Sequence, residues 1–285
     1  MNPVITNAMT VDVEDYFHVT GFESHIARRD WSGFESRLHF GMNRILQKMD
    51  ACGIKATFFM LGWLARRYPR LVRQIDAAGH EIGSHSYWHR QVFRLTPRVF
   101  RADLRRSQRV LEDVLGKPIY LYRAPSFSIT NRSRWAFDVL AEEGITIDSS
   151  VFPAAHDRYG IADASPLLHV VPTQSGPIWE APPAVHCAGR IRMPVGGGGY
   201  FRLYPIRWTL ALLGRINTAG NFFTFYVHPW EFDPDQPRLG AGSRLSRWRH
   251  YTGLHATERK FLRLLSAFRF DRLGQVVAQS ALGKN

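Results

Sequence analysis

Short apolar runs alternate with helically spaced apolar positions through the first half of the chain. Residues 8–13 form a nearly continuous apolar run and predict a buried strand. From Ser36 to Ala51, the positions Leu38, Met42, Ile45, Leu46 and Met49 recur at three- and four-residue spacing. They predict a helix closed near Gly53. Residues 55–61 predict a strand, 64–78 a helix ending at Gly79, and 80–84 a short strand. Thr96-Pro97 opens a helix running to Leu115, with Thr as N-cap and Pro at the first helical position, and Gly116 ends it. A strand at 119–122, a helix at 132–143 and a strand at 145–148 complete the series. This rhythm predicts an α/β chain with a parallel sheet closed or wrapped by helices.

Residues 151–199 break the rhythm. They are rich in Pro and Gly, with short strands expected at 169–171 and 178–181 and a flexible loop at Gly196-Gly197-Gly198-Gly199. A helix at 205–219, a strand at 221–227 and a final helix at 255–268 restore the pattern. With no linker and no repeat, one domain over 1–285 is expected. A barrel of seven or eight strands fits the number of βα units.

Composition narrows the class. The 285 residues are 45% hydrophobic and 21% charged, which excludes a disordered, collagen-like or coiled-coil chain. The longest apolar runs, such as 208–213, fall far short of a membrane span. The first residues show neither a basic region nor a long apolar stretch of the signal-peptide kind, so a cytoplasmic chain is expected. Cys52 and Cys187 give no disulfide framework and no CxxC metal site. A net charge of +13 makes a surface that attracts polyanions such as nucleic acid, anionic lipid or acidic polysaccharide, or it reflects only a basic host proteome and ordinary solvated faces. No long Lys/Arg block and no RNP, zinc-finger or helix-turn-helix signature is present, so no nucleic-acid partner is expected.

Four polar segments each follow a predicted strand. In Thr10-Val-Asp-Val-Glu-Asp-Tyr16, strand alternation puts Asp12 and Glu14 on one face and Val11 and Val13 on the other. Two converging carboxylates are costly to bury unless a cation or a proton relieves them, although Glu14 and Asp15 also suit capping or ion-pair roles. In His85-Ser-Tyr-Trp-His89, two histidines four apart can share a metal if the chain turns there. Two imidazoles and one carboxylate make a three-ligand site with open positions. In Tyr122-Arg123-Ala-Pro125-Ser-Phe127, Arg123 is suited to clamp a carboxylate bidentately and Pro125 to rigidify the turn. In Phe225-Tyr-Val-His228-Pro-Trp230-Glu231, His228 at a strand end is a candidate general acid. Active sites of α/β barrels assemble at the carboxyl ends of strands, where all four segments fall.

In these residues and their order, the chain resembles the NodB-homology polysaccharide deacetylases, carbohydrate esterase family 4. The wording Val-Asp-Val-Glu-Asp-Tyr-Phe-His, the Gly-Gly-Gly-Gly-Tyr-Phe-Arg loop and Tyr-Val-His-Pro-Trp-Glu-Phe resemble the exosortase-associated exopolysaccharide subgroup, whose C-terminal region is contained in 151–285. The resemblance implies a distorted (β/α) barrel with a C-terminal extension packed on it. It also implies hydrolysis of N-acetyl groups on a glycan with a divalent metal, most simply zinc, with cobalt, manganese or nickel as substitutes. Asp12 is then the base, His85 and His89 are metal ligands, Arg123 orients Asp12 and His228 is the acid. The family commonly has two adjacent Asp residues, the second a ligand; here Val13 stands in that place. Same-face geometry nominates Glu14 as third ligand, with Asp15 as second choice. The family's Asp-x-Trp motif, which tunes the acid histidine, has no clear match; Asp148 and Glu180 are candidates. A backbone N–H near Ser150 or Val151 is the expected oxyanion donor. Trp88, Pro125, Phe127, Tyr200 and Trp230 are candidates for contact with sugar, although the aromatic residues among them equally suit core or rim packing. The subgroup further implies a glycan substrate and peripheral association with a polysaccharide-synthesis complex, and leaves the oligomeric state open. Three rivals remain: an amidohydrolase on a small cyclic or linear amide, a glycoside hydrolase using Asp12 and Glu14, and a catalytically dead glycan-binding module.

Overall fold

The apolar run near the start of the chain forms β1 (Thr6–Val13), buried at every position after Thr6. The structure, a computed structural model, describes residues 5–156 and 159–282. The first four and last three positions of the expected 1–285 domain, and 157–158 of the irregular stretch, lie outside the described residues.

After β1 come α1 (Leu38–Ala51), β2 (Thr57–Met60), α2 (Gly62–Arg67), α3 (Pro69–Ala77), β3 (Glu81–Ser84), α4 (Pro97–Leu115), β4 (Leu121–Tyr122), α5 (Ala136–Glu142) and β5 (Ile147–Asp148). The expected helix over 64–78 is therefore two helices. Pro69 disfavours helical dihedrals at the preceding residue, and Tyr68 sits at φ −127°, ψ 58°, between them. The next elements are β6 (His169–Val171), β7 (Ile178–Glu180), the hairpin β8 (Val185–Ala188) and β9 (Ile191–Pro194), α6 (Gly198–Leu203), α7 (Ile206–Thr218) and β10 (Thr224–Val227). Then come α8 (Arg244–Tyr251), α9 (Leu254–Ala267), β11 (Arg269–Asp271) and α10 (Leu273–Leu282), so the helix expected to be final is not.

The main sheet runs in the order β10-β1-β2-β3-β4-β5-β7-β6, and β11 also pairs with β1. All pairs are parallel except β6 with β7. The eight strands of this path make a curled half-barrel within an α/β fold. Its ends, β10 and β6, do not pair, so the barrel is open. The second half of the chain enters the sheet beside its first strand: Ala8–Val11 of β1 register with Thr224–Val227 of β10. The carboxyl ends carrying Asp12 and His228 are thereby neighbours, although 216 positions apart in sequence.

Two glycines set close approaches. The Gly196–Gly199 run is not a flexible loop. Gly196 accepts from the amide of Tyr226 at 2.7 Å, and Gly197, at φ +137°, lies so close to β10 that a Cβ would sit 1.9 Å from the Tyr226 carbonyl oxygen. Gly41 on α1 faces the turn after β10, where a Cβ would fall 2.0 Å from the Pro229 carbonyl oxygen. In a helix interior Gly→Ala ordinarily stabilises. Here the sign should reverse: Gly41→Ala pushes α1 off Pro229 and should cost about 1–3 kcal/mol, the usual range for overpacking. Thermal or urea denaturation of the variant checks this; a raised melting temperature would contradict the packing account.

Candidate active site

Arg123 lies under the site with no exposed surface. Its Nη1 donates to Asp12 Oδ1 at 2.7 Å and to Thr10 Oγ1 at 2.8 Å; its Nη2 donates to Ser149 Oγ at 2.8 Å, and its Nε to the Ser149 carbonyl at 3.2 Å. The guanidinium also rests 4.3 Å from the Phe59 ring centroid. The expected bidentate clamp is therefore a single contact on Asp12, because the other donors are taken by β1 and by the segment after β5. This leaves Asp12 Oδ2 facing the cavity, 3.9 Å from His228 Nε2.

Glu14 Oε1 stands 3.1 Å from His85 Nε2 and 2.9 Å from His89 Nε2, and all three residues are buried. Their candidate ligand atoms lie within 4.8 Å of one another, and no other such group of His, Cys, Asp and Glu occurs among the described residues. His85 Nδ1 contacts the Arg123 carbonyl oxygen at 2.8 Å. A carbonyl only accepts, so Nδ1 carries the proton, and in the neutral ring Nε2 is a bare lone pair aimed at a carboxylate oxygen. Two electron-rich atoms facing each other in a buried site fit a cation between them. Burial opposes the charge of Glu14, but the neighbouring imidazoles of His89 and His85 hold its carboxyl well below the usual carboxylate range.

The loop carrying these histidines is a turn in which Ser86 (φ 67°) and His89 (φ 52°) take left-handed dihedrals, unfavourable for residues with side chains. It is pinned by two helices, α4 and α2. Asp103 of α4 accepts from the Ser86 hydroxyl and, at 2.7 Å, from the Tyr87 amide, while the amides of Gly62 and Trp63 donate to Ser86 and Tyr87 carbonyls. Asp103 was not legible as a site residue; its only sequence signal is a charge on the buried side of an amphipathic helix. Asp15 does not join the cluster. It caps the turn at 16–18 and accepts from Ser36 and the Arg37 amide, and burial, partly offset by those bonds, raises it to about 6.

The histidine at the end of β10 is held by its own turn. Glu231 Oε2 accepts from the His228 amide at 2.9 Å and contacts His228 Nδ1 at 3.1 Å. Glu231 Oε1 accepts from Arg202 Nε at 2.7 Å, and the rest of the Arg202 fork donates to the carbonyls of Arg249, His250 and Thr252. Trp230 stacks between His228 and His250. Burial works against the charge of His228. The charge and hydrogen bond of Glu231, with Glu14 and Asp12 behind them, outweigh it and raise the imidazole to about 9.

Asp148 and Glu180 lie elsewhere, facing each other in register across β5 and β7. Asp148 accepts from Ser150 Oγ at 2.6 Å and Glu180 from the Val151 amide at 3.0 Å. They are not partners of His228, and the Val151 amide expected to hold an oxyanion is already committed. Burial raises Asp148 to about 6 against the hydrogen bonds from Glu180 and Ser150, and burial together with the Asp148 charge raises Glu180 well above the carboxylate range.

A cavity of about 390 Å³ is lined by Asp12, Glu14, His89, Phe127, Tyr200, Trp230 and His228. His85 and Arg123 lie behind this wall. Trp88 and Pro125 are off it: Trp88 packs against Trp31 and Tyr87, and Pro125 is buried in its turn. Arg202, Trp248 and His250, also on the wall, come from α6 and α8.

Carboxylates and histidines converge at the strand ends of an α/β half-barrel, and comparison with known proteins finds a polysaccharide deacetylase domain in this part of the chain. The profile described as polysaccharide deacetylase matches residues 33–145, and one described as a domain of unknown function (DUF3473) matches 149–278. The chain carries a polysaccharide deacetylase domain of the NodB-homology, carbohydrate esterase family 4 kind. A peptidoglycan-N-acetylglucosamine deacetylase of Bacillus cereus is 32% identical over 94 residues, 33% of this chain and 34% of the relative. A chitin deacetylase of a Pestalotiopsis species is 34% identical over 90 residues, 30% of each chain. The chain spans about a third of the length of these curated relatives. A crystal structure provisionally named a polysaccharide deacetylase, from Mycobacterium smegmatis, superposes with a TM-score of 0.64 at 17% identity, over 100% of this chain and 93% of that one. The peptidoglycan deacetylase PdaC of Bacillus subtilis superposes at 0.54 and 14% identity, over 99% and 94%. These superpositions show a shared fold.

The Asp148–Glu180 pair gives a prediction of sign. The folded chain keeps protons on these carboxyls above the 3.8 and 4.5 at which they ordinarily leave, so the folded state binds more protons than the unfolded one. The stability this pair contributes is therefore greatest in acid and falls as pH rises through that window to about 6 and beyond. Glu180→Gln should flatten this fall. Melting temperatures of both proteins from pH 4 to 8 check it, and parallel profiles would refute it.

Proposed function

We propose that this chain removes N-acetyl groups from a polysaccharide or oligosaccharide, hydrolysing the amide to acetate and a free amine. One observation carries the reading: the Glu14–His85–His89 cluster and the Asp12/His228 pair open onto one cavity. Glu14, His85 and His89 would hold a divalent ion, and their N₂O donor set suits zinc, with cobalt, manganese or nickel as substitutes. Such an ion supplies Lewis-acid polarisation of the acetyl carbonyl.

The chain's own groups supply the proton transfers. Asp12 Oδ2, left free by the single contact of Arg123 on Oδ1, takes the proton of the attacking water. His228 Nε2 donates a proton to the departing nitrogen, because an amine anion is too poor a leaving group. Glu231 stabilises the protonated ring, and Arg202 fixes Glu231. Tyr200, half-buried on the cavity wall, can pack against a sugar, whereas Phe127 is buried and both faces of Trp230 are covered by His228 and His250. The resemblance of the 11–18, 196–202 and 226–232 segments extends the reading to exopolysaccharide biosynthesis, beside a synthesis complex. A glycoside hydrolase would need Glu14 for itself, whereas here both histidines converge on it. A small-amide hydrolase fits less well, because the cavity wall at Trp248 is shared with a second groove.

Metal content measured beside acetate release tests the division of labour. Asp12→Asn should keep the metal and lose about 10²–10⁴-fold in rate, the usual worth of a positioned acid–base group. Glu14→Gln and His85→Ala should lose the metal, and chelator should silence the parent protein. If Asp12→Asn empties the site while Glu14→Gln keeps both metal and rate, the assignment is wrong.

The pH profile tests the acid. Donation needs protonated His228, so the rate should hold up to about pH 9 and fall above it. Glu231→Gln removes the largest influence raising the ring and should bring that alkaline limb down toward 6.5, the ordinary histidine value. An alkaline limb that does not move would show that Glu231 has no such role.

A further inference from the structure

The cavity does not end at the catalytic groups. Trp248, 54% exposed on α8, lines it and also lines a second groove, of about 560 Å³, bounded by Arg238, Gly240, Arg247, Tyr251 and Thr252. A chain entering the cavity on this side passes over the indole. The charged groups lining the second groove are Arg238 and Arg247, with no acid among them.

Both arginines are held in place. The Tyr251 hydroxyl accepts from the Leu239 amide at 2.7 Å and donates to the Pro237 carbonyl at 3.3 Å, so the 237–239 segment is tied across the Tyr251 ring. The Arg238 guanidinium lies over that ring, 5.2 Å from its centroid. Arg247 Nη1 donates to the Gly240 carbonyl at 3.2 Å, at the other end of the same short segment. Thr252, on the wall, is fixed through its carbonyl by Arg202, the residue that also holds Glu231. Among the described residues neither Arg238 nor Arg247 has a carboxylate partner. The acids just before them, Asp233 and Asp235, act on Arg37 instead. Two guanidinium groups without carboxylate partners among the described residues, one lying over the Tyr251 ring and the other bonded to the Gly240 carbonyl, line a groove beside an exposed tryptophan and make an anion site next to a sugar-stacking face.

We propose that the substrate is an anionic glycan, in which a sugar next to the reacting N-acetyl unit stacks on Trp248 and its acidic substituent is bound by Arg238 and Arg247. This rests on reading the cavity as a glycan site. The acid is a carboxylate, as in a uronic acid, or a phosphate or sulfate ester; all present oxygens that the arginine fork accepts. The shared Trp248 favours the substrate's own chain over a separate polyanion.

The test uses the full chain and three probes of equal length: a neutral N-acetylglucosamine oligomer, an alternating glucuronate–N-acetylglucosamine oligomer, and an O-sulfated N-acetylglucosamine oligomer. Calorimetric binding is measured at two salt concentrations, beside KM and kcat for acetate release. An acidic probe should bind more tightly than the neutral one, and the difference should shrink with salt. The double variant Arg238→Gln/Arg247→Gln should weaken acidic binding about tenfold more than neutral binding, as expected for lost charge-assisted hydrogen bonds. The loss should fall on KM rather than kcat. Trp248→Ala should weaken both classes. Comparison of the two acidic probes tells carboxylate from sulfate.

Equal losses on neutral and acidic probes, or no preference for either acid, overturn the proposal. So does a single-stranded oligonucleotide that binds more tightly than both acidic glycans and is lost with the same substitutions. Acidic-glycan binding that depends on the arginines, with no acetate released from any probe, would sink the deacetylase reading and leave this site standing. Acetate release with no role for the arginines would do the reverse.

Discussion

A buried guanidinium holds the site together. Arg123 has no exposed surface, and desolvating such a charge costs several kcal/mol unless paired and hydrogen-bonded throughout. Here it is. Its donors reach Asp12 and Thr10 on β1 and Ser149 beyond β5, and its ring neighbour Phe59 comes from β2. Its own carbonyl sets the tautomer of His85 after β3. One residue at the end of β4 therefore orients Asp12 through its side chain and His85 through its backbone. Ser149 passes the network on to Ala181 at the end of β7, and Thr10 to the Phe225 carbonyl of β10. The carboxyl ends of six strands are tied to one side chain, directly or through one hydroxyl.

The second constraint is that the cavity takes one wall from each half of the chain. The polysaccharide deacetylase profile ends at residue 145, yet His228, its Glu231 and Arg202 partners and the Trp248 wall all lie beyond it, within the region matched by the domain of unknown function. That region is built into the sheet: β10 registers against β1 and β11 against its first residues. α1 packs on the turn at 229–232 closely enough that Gly41 has no room for a side chain. The placement of His228 thus depends on α1 and β1 from one half and on α6 and α8 from the other.

The parts legible in the sequence were those with a local signature. Strand runs, helix spacing and polar groups at strand ends place Asp12, Glu14, His85, His89, Arg123 and His228 correctly along the chain, because period-2 and period-3.6 patterns are properties of neighbouring residues. What pairs across the fold was not legible. Glu231 is only three residues from His228, but it reads as a charge after a proline until Arg202 arrives from α6 to hold it. Asp148 and Glu180, weighed for that part, face each other instead, because β5 and β7 are neighbours in a strand order the sequence does not display. The glycine run read as flexible for lack of side chains; its true reason is contact with β10, which only the tertiary structure supplies.

The departure at Val13 has a geometric explanation. Residue 13 points to the opposite side of β1 from Asp12, into the apolar cluster that also contains Val11, Phe58 and Met60, and it is completely buried there. With β1 so oriented, a carboxylate at 13 would be desolvated without partners. The next position on the face of Asp12 is 14, at the strand's end and farther from the sheet's middle. Glutamate carries one methylene more than aspartate, and Glu14 reaches Oε1 to within 3.1 Å of both His85 and His89. Asp15, the nearest alternative, is turned back to cap the segment that follows. In the proposed division of labour, the base and the ligand remain adjacent carboxylates in space while the chain between them serves the core. Moving the ligand from 13 to 14 exchanges a shorter side chain on a frustrated register for a longer one on the register the strand already has.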